Sequence, residues 1–194
     1  MNLSCAIISG GMSRRFGGDK TLATLHGKPL VQWVAEGLTF ATDKMIVAKE
    51  PAKYAFLNDI SFVTDLYEQQ CPLVGILSAF KHAKNDHLFV ISADMPLFPF
   101  SLVPDMAQMM GEADIAVPVI NGKYYPCAAI YHRRVVPILA DNFSKGVYKL
   151  ITIFNELNIK TLSEAFFTDT SGFANINTKE DLEKLIQRID IIPT

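Results

Sequence analysis

Cysteine is scarce and poorly spaced: Cys5, Cys71 and Cys127 are odd in number, lie far apart and form no C-x-x-C pair. That excludes a disulfide framework and a thiolate zinc site, and reduced thiols in the cytoplasm are the expectation. Long apolar runs are missing too. No window reaches 18 uncharged apolar residues, and no basic, apolar leader precedes the first strand, so neither a membrane span nor a secretory signal is expected. Charge of one sign is also lacking. With 18 Lys and Arg against 20 Asp and Glu, the formal charge is −2, which argues against an extended nucleic-acid or anionic-membrane surface and leaves basic residues to act locally. His26, His82, His87 and His132 are scattered without metal-ligand spacing, and no G-x-S-x-G elbow offers an acyl-transfer nucleophile.

What the chain has in abundance is ordinary core material. Apolar residues make up 49% and charged residues 20% of 194 positions. A chain of this length buries roughly 70% of its extended surface without a staple, so residues 1–194 are expected to form one domain. Apolar strand-length runs alternate with helical-period stretches, the pattern of β-α-β winding, which predicts an α/β fold: a mainly parallel sheet with helices on both faces. The predicted strands are Cys5 to Ile8, Met45 to Val47, Phe62-Val63, Leu88 to Ile91, Ile115 to Val117, Ala128 to Tyr131 and Ile159 to Leu162. Helices are expected from Pro29, from Pro72, around Leu102 to Met110, over Val135 to Ala140 and Val147 to Leu157, and from a Thr178 cap; Pro118 to Pro126 reads as a loop crossing near the site.

The most informative segment is Ile8-Ser9-Gly10-Gly11-Met12-Ser13-Arg14-Arg15-Phe16-Gly17-Gly18-Asp19-Lys20. It is a glycine-rich, cationic turn at the carboxyl end of the first strand, where open parallel sheets bind ligands. Glycines let backbone N–H groups converge on an anion, while Arg14, Arg15 and Lys20 supply positive charge. It is not a P-loop, because Asp19 separates Gly18 from Lys20; nor is it G-x-G-x-x-G, because Gly10 and Gly11 are adjacent. An ordinary surface turn is the plain alternative.

Asp94 follows the run Leu88 to Ile91 and so falls on the same sheet edge. One carboxylate beside a phosphate cradle suits Mg²⁺, which takes one or two carboxylates plus phosphate oxygens; a turn cap before Met95-Pro96 is the alternative. Asp65 ends a third strand. Beyond it, Pro72-Leu73-Val74-Gly75 opens a helix whose Gly75 could admit a flat ligand such as a base, or could simply serve helix packing. Asn175 and Asn177, two apart on an extended segment, could face one polar ligand or act as turn and capping residues.

These residues together resemble the molybdenum cofactor guanylyltransferases, within the wider nucleotidyltransferase superfamily. The Ser9 to Lys20 segment looks like the family signature, and Gly27-Lys28-Pro29-Leu30, Pro72-Leu73-Val74-Gly75-Ile76, Asp94-Met95-Pro96 and Asn175-Ile176-Asn177-Thr178 resemble later motifs in the same order. The resemblance implies a Rossmann-like enzyme that uses GTP with Mg²⁺ and transfers GMP to the phosphate of molybdopterin, releasing pyrophosphate. Carried over by position, it implies that Ile8, Ser9, Gly10, Gly11, Asp65, Pro72, Leu73 and Gly75 line the nucleotide site. It implies further that Arg15 and Lys20 meet phosphates, that Asp94 binds magnesium, and that Asn175 and Asn177 fall on the pterin side. It implies GTP and molybdopterin as small-molecule partners, leaves room for molybdenum-insertion proteins and molybdoenzyme chaperones, and calls for neither nucleic acid nor membrane. The family often has Ala at Ser9, Met at Phe16 and Gly at Cys71, with an Asn commonly following the second strand where this chain has Ala48-Lys49. Relatives using CTP or a sugar 1-phosphate, and a non-catalytic GTP-binding molybdopterin carrier, are the alternatives.

Overall fold

In a computed structural model of the chain, residues 2–10 and 16–191 are described, the last four without their side chains. The first strand, β1 (Leu3–Ser9), is buried on both faces, as a central parallel strand must be. Its odd residues Cys5 and Ile7 enter one apolar cluster and its even residues Ala6 and Ile8 enter another, so each face of the strand builds its own core. On its flanks lie β4 (Asp43–Ala48) and β6 (His87–Ser92), both parallel to it. Between β1 and β4 come a short hairpin, β2 (Thr24–Leu25) with β3 (Lys28–Pro29), and helix α1 (Leu30–Gly37).

With β5 (Ser61–Thr64), β7 (Ile115–Ile120), β8 (Lys123–Tyr124), β9 (Ala128–His132) and β10 (Ile159–Ser163), the sheet has the order β10-β7-β9-β6-β1-β4-β5, β8 pairing with β7. It is mostly parallel but mixed, since β9 runs antiparallel to both β6 and β7. Helix α2 (Pro72–His82), helix α4 (Val136–Ser144) and the single turn α5 (Leu150–Ile153) pack with one cluster, and α1 and α3 (Val103–Met110) with the other. A third, smaller cluster joins Phe16, Leu25 and Leu30 to Ile176 and Leu185 of the last segment and its helix α6 (Lys179–Ile191).

Two expectations are corrected. Pro118 to Pro126 is not a loop throughout, because β7 continues to Ile120 and turns back through Asn121 (φ 50°) and Gly122 (φ 70°) into β8. Asn-Gly is the residue pair that a two-residue hairpin with two positive φ angles favours. Val147 to Leu157 is not one helix either: it is the short α5 followed by a tighter 3-10 turn, Phe154–Glu156. Among the described residues no helix is long and apolar enough to cross a membrane.

Candidate active site

β1, β4, β5 and β6 are mutually parallel, so their carboxyl ends share one edge. The N–H of Ala93 donates to the carbonyl of Ile8 at 3.1 Å, extending the β1–β6 pairing past the strand ends and bringing Asp94 beside Ser9 and Gly10. Between them opens a cavity of about 260 Å³, lined by Ile8, Ser9, Gly10, Gly18, Asp19, Lys20, Thr21, Lys53 and Ser92 to Asp94. Among the described residues, a Cβ placed on Gly10 would meet nothing within 4 Å.

Lys20 begins the 3-10 turn Lys20–Leu22, capped by Asp19, whose carboxylate accepts the N–H (3.1 Å) and hydroxyl (2.7 Å) of Thr21. From there the Lys20 ammonium donates to Asp94 Oδ2 and, at 3.0 Å, to Asn177 Oδ1. The side chain of Asp94 is 5% exposed and that of Lys20 17%. The other oxygen, Asp94 Oδ1, is buried and accepts no hydrogen bond from the described residues. A buried carboxylate oxygen left unmatched is costly, and it marks a position for a hard cation or a donor.

A second set of contacts holds the far wall. Tyr54, fully buried, hydrogen bonds through its hydroxyl with Ser9 Oγ and, at 2.8 Å, with Thr21 Oγ1. Lys53 pairs with Asp19 Oδ2, while its ammonium lies 4.9 Å from the centre of the Tyr54 ring. Burial pulls the Asp19 carboxyl upward, but hydrogen bonds from Lys53 and Thr21 outweigh it and hold the group below the usual range. Sequence reasoning missed Thr21, Lys53 and Tyr54. A polar-aromatic turn directly after the strand β4, on the shared edge, was the signal that could have found the last two.

The sequence-predicted residues divide. Ile8, Ser9, Gly10, Lys20 and Asp94 come together, and Asn177 joins them through Lys20. Gly11 and Arg15, with Arg14, lie outside the described residues. Asp65, just past β5, sits on the same edge, its N–H donating to Ala48 at 3.2 Å. Burial raises its carboxyl above the ordinary value, and a hydrogen bond from Ser78 offsets part of that rise. Leu73 is fully buried in the core, and a Cβ on Gly75 would stand 2.8 Å from Ile8 Cγ2, so α2 packs closely on β1 at that position. Pro72 takes the first turn of α2 and is exposed. Asn175 Oδ1 is buried without a partner among the described residues, and Asn175 lines a separate groove with Ile176, Asp181 and Leu185. That segment is anchored by the Ile176 N–H donating to the Asp94 carbonyl (3.1 Å). It is held also by a reciprocal cap, Asp181 N–H to Thr178 Oγ1 (3.1 Å) and Thr178 N–H to Asp181 Oδ2 (2.8 Å).

A crevice at the carboxyl edge of parallel strands, with a glycine turn, a lysine and an incompletely matched acid, defines an α/β protein of the nucleotide-handling kind. Comparison with known proteins agrees. Residues 5–158 match the MobA-like NTP transferase domain. The "probable molybdenum cofactor guanylyltransferase" of Natranaerobius thermophilus is 31% identical, over 94% of both chains. The molybdenum cofactor guanylyltransferase of Desulfosudis oleivorans is 31% identical, over 92% of this chain and 91% of that one. The crystal structure of molybdopterin-guanine dinucleotide biosynthesis protein A from Archaeoglobus fulgidus superposes with a TM-score of 0.85 over 97% of this chain and all of that one, at 24% identity, and so shows the shared fold. The chain belongs to the MobA-like NTP transferase family, and it is a nucleotidyltransferase.

Proposed function

We propose that this protein transfers GMP from GTP to the phosphate of molybdopterin, forming the guanine dinucleotide cofactor and releasing pyrophosphate. In that reaction an oxygen of the pterin phosphate attacks the α-phosphorus in line. The new P–O bond forms as the bond to the β-phosphate oxygen breaks, and pyrophosphate carries away the electron pair. Little covalent work falls to the protein; placement and charge neutralisation dominate. The observation that carries the reading is the Lys20–Asp94 contact at the floor of the crevice, with Asp94 Oδ1 left open.

The donor set fits Mg²⁺: one buried carboxylate oxygen without a partner, in a cavity where a substrate would contribute phosphate oxygens. Among the described residues no three His, Cys, Asp or Glu side chains gather, which suits a metal completed by substrate rather than an all-protein cage. Bound there, Mg²⁺ would supply positive charge to the phosphate oxygens. Lys20 and, by the family resemblance, Arg15 neutralise triphosphate and leaving-group charge. Ile8, Ser9 and Gly10 form the nucleotide floor, Asp65 stands beyond them on the same edge, and Asn175 and Asn177 face the pterin side. GTP and molybdopterin are its partners in this reading, in the cytoplasm.

The names of the relatives support guanylyl transfer over cytidylyl or sugar 1-phosphate chemistry. Pyrophosphate release measured with GTP and with CTP in the presence of molybdopterin, with mass analysis of the product, tests it. A GMP–pterin product from GTP alone is expected. A CMP product, or GTP binding with no pyrophosphate released, would replace this reading with a cytidylyl transferase or a carrier.

A further inference from the structure

The loop after β4 brings a second lysine to the crevice. β4 ends at Ala48, which is buried and offers no polar side chain, and the chain then makes one 3-10 turn, Pro51–Tyr54. Lys53 is the residue of that turn lining the cavity with Ser9, Gly10, Lys20 and Asp94. Its placement is prepared: Tyr54 beneath it is fully buried, and the Lys53 ammonium stands near that ring, paired to Asp19 Oδ2.

The pair is not what caps the 3-10 turn Lys20–Leu22. Asp19 caps that turn through its other oxygen, Oδ1, which takes both the N–H and the hydroxyl of Thr21. With both side chains about one-third exposed, at 33% and 32%, the ion pair contributes little stability of its own. The ammonium can therefore leave Asp19 for a stronger acceptor without unfolding the cap. Burial pulls the Lys53 pKa down, but the hydrogen bonds with Asp19 and Tyr54 outweigh it and keep the amine protonated. Among the described residues that line the cavity, Lys20 is paired with Asp94 and Lys53 with Asp19, so a polyphosphate drawing on either cation competes with its carboxylate.

Resting on the nucleotidyltransferase reading, we infer that Lys53 is a binding residue for the pyrophosphate portion of the nucleotide, with Asp19 as its resting partner. A lysine offers a mobile point charge that can follow the β- and γ-phosphates as they leave.

Titration of the full-length protein with magnesium pyrophosphate by calorimetry tests the inference, alongside KM for GTP. Lys53→Met is expected to weaken pyrophosphate about tenfold, in the range of one charge-assisted contact, and to raise KM by a similar factor, while Lys53→Arg stays within about threefold of the parent. Asp19→Asn retains the Thr21 cap and removes the competing charge, so pyrophosphate should bind at least as tightly as before. Parent-like binding by Lys53→Met overturns the inference. So does equal weakening in Asp19→Asn and Lys53→Met, which would make Lys53 a positioning residue for the turn. A parent protein that binds neither pyrophosphate nor any nucleoside triphosphate overturns the nucleotidyltransferase reading itself, and the inference with it.

Discussion

Asp43 and Asp94 are both buried carboxylates, 7% and 4% exposed, at opposite edges of the same sheet. At the amino edge, Asp43 Oδ2 accepts the Ser4 hydroxyl and, at 2.9 Å, the N–H of Lys84, while Ser4 in turn accepts the N–H (3.1 Å) and side-chain amide (3.2 Å) of Asn85. These partners are neutral donors, two of them backbone, and they tie the end of β4 to β1 and to the turn after α2. At the carboxyl edge, Asp94 meets the Lys20 ammonium through one oxygen and, among the described residues, nothing through the other. A buried acid matched by fixed donors holds a fold together; one left partly unmatched is held ready for a ligand, at a cost that the rest of the core offsets.

The comparison breaks most readily at Asp94. Asp94→Asn keeps the shape and removes the charge, and it should lower turnover by roughly 10² or more, about 3 kcal/mol of barrier, with a melting temperature near the parent's. Steady-state pyrophosphate release together with thermal unfolding checks both halves. Near-normal turnover would remove Asp94 from the chemistry. Gly172→Ala attacks the support behind it, because the added Cβ would stand 2.1 Å from the backbone oxygen of Leu97. A backbone atom cannot swing aside as a side chain does, so a loss of about 2–3 kcal/mol in denaturant unfolding is expected, with GTP use impaired as the Asn175–Asn177 segment shifts.

Asp43→Ala reverses the pattern of Asp94→Asn. It leaves Ser4 and the Lys84 N–H without their acceptor, so stability should fall by about 1–3 kcal/mol while kcat per folded molecule is unchanged. A kinetic defect larger than the stability defect would show that the two edges are coupled. Tyr54→Phe removes the hydroxyl between Ser9 and Thr21; about 1 kcal/mol of stability and a severalfold rise in KM for GTP are expected in the same two assays.

The smallest effect concerns Asp65. Burial raises its carboxyl pKa, so the ionised form opposes folding above the raised value and ceases to as pH falls through it. Asp65→Asn should therefore stabilise the protein slightly at pH 7, by under about 0.5 kcal/mol after solvent screening, and the advantage should vanish in acid. Melting curves at pH 7 and pH 4 check the sign.

Much of the carboxyl edge was legible in the sequence because local patterns report it. A both-face-buried strand such as β1 or β6 reads as a continuous apolar run, and the residue that follows it must lie at the sheet edge; Ser9, Gly10 and Asp94 were placed that way. Pro72 opened its helix and Thr178 capped one as their chemistry requires. The β7–β8 hairpin escaped notice because its strands are short and Pro118 suggested a break, although Asn121-Gly122 announced the turn. Lys53 and Tyr54 escaped because their signal, a polar-aromatic turn after β4, is not a recognisable spacing and gains its meaning only from the β1–β4 pairing that carries it to the crevice.

The chain by itself determined that there would be a mostly parallel sheet with a glycine-rich, cationic segment following its first strand, since alternation of apolar runs and the placing of glycines and arginines are local properties. Which acid each lysine meets was decided only by tertiary structure. Lys20 and Asp94 are 74 positions apart, Lys20 and Asn177 are 157 apart, and Lys53 reaches back 34 positions to Asp19. Contacts at such separations follow from strand order and register, which are settled by the packing of the two apolar clusters and not by any residue's immediate neighbours.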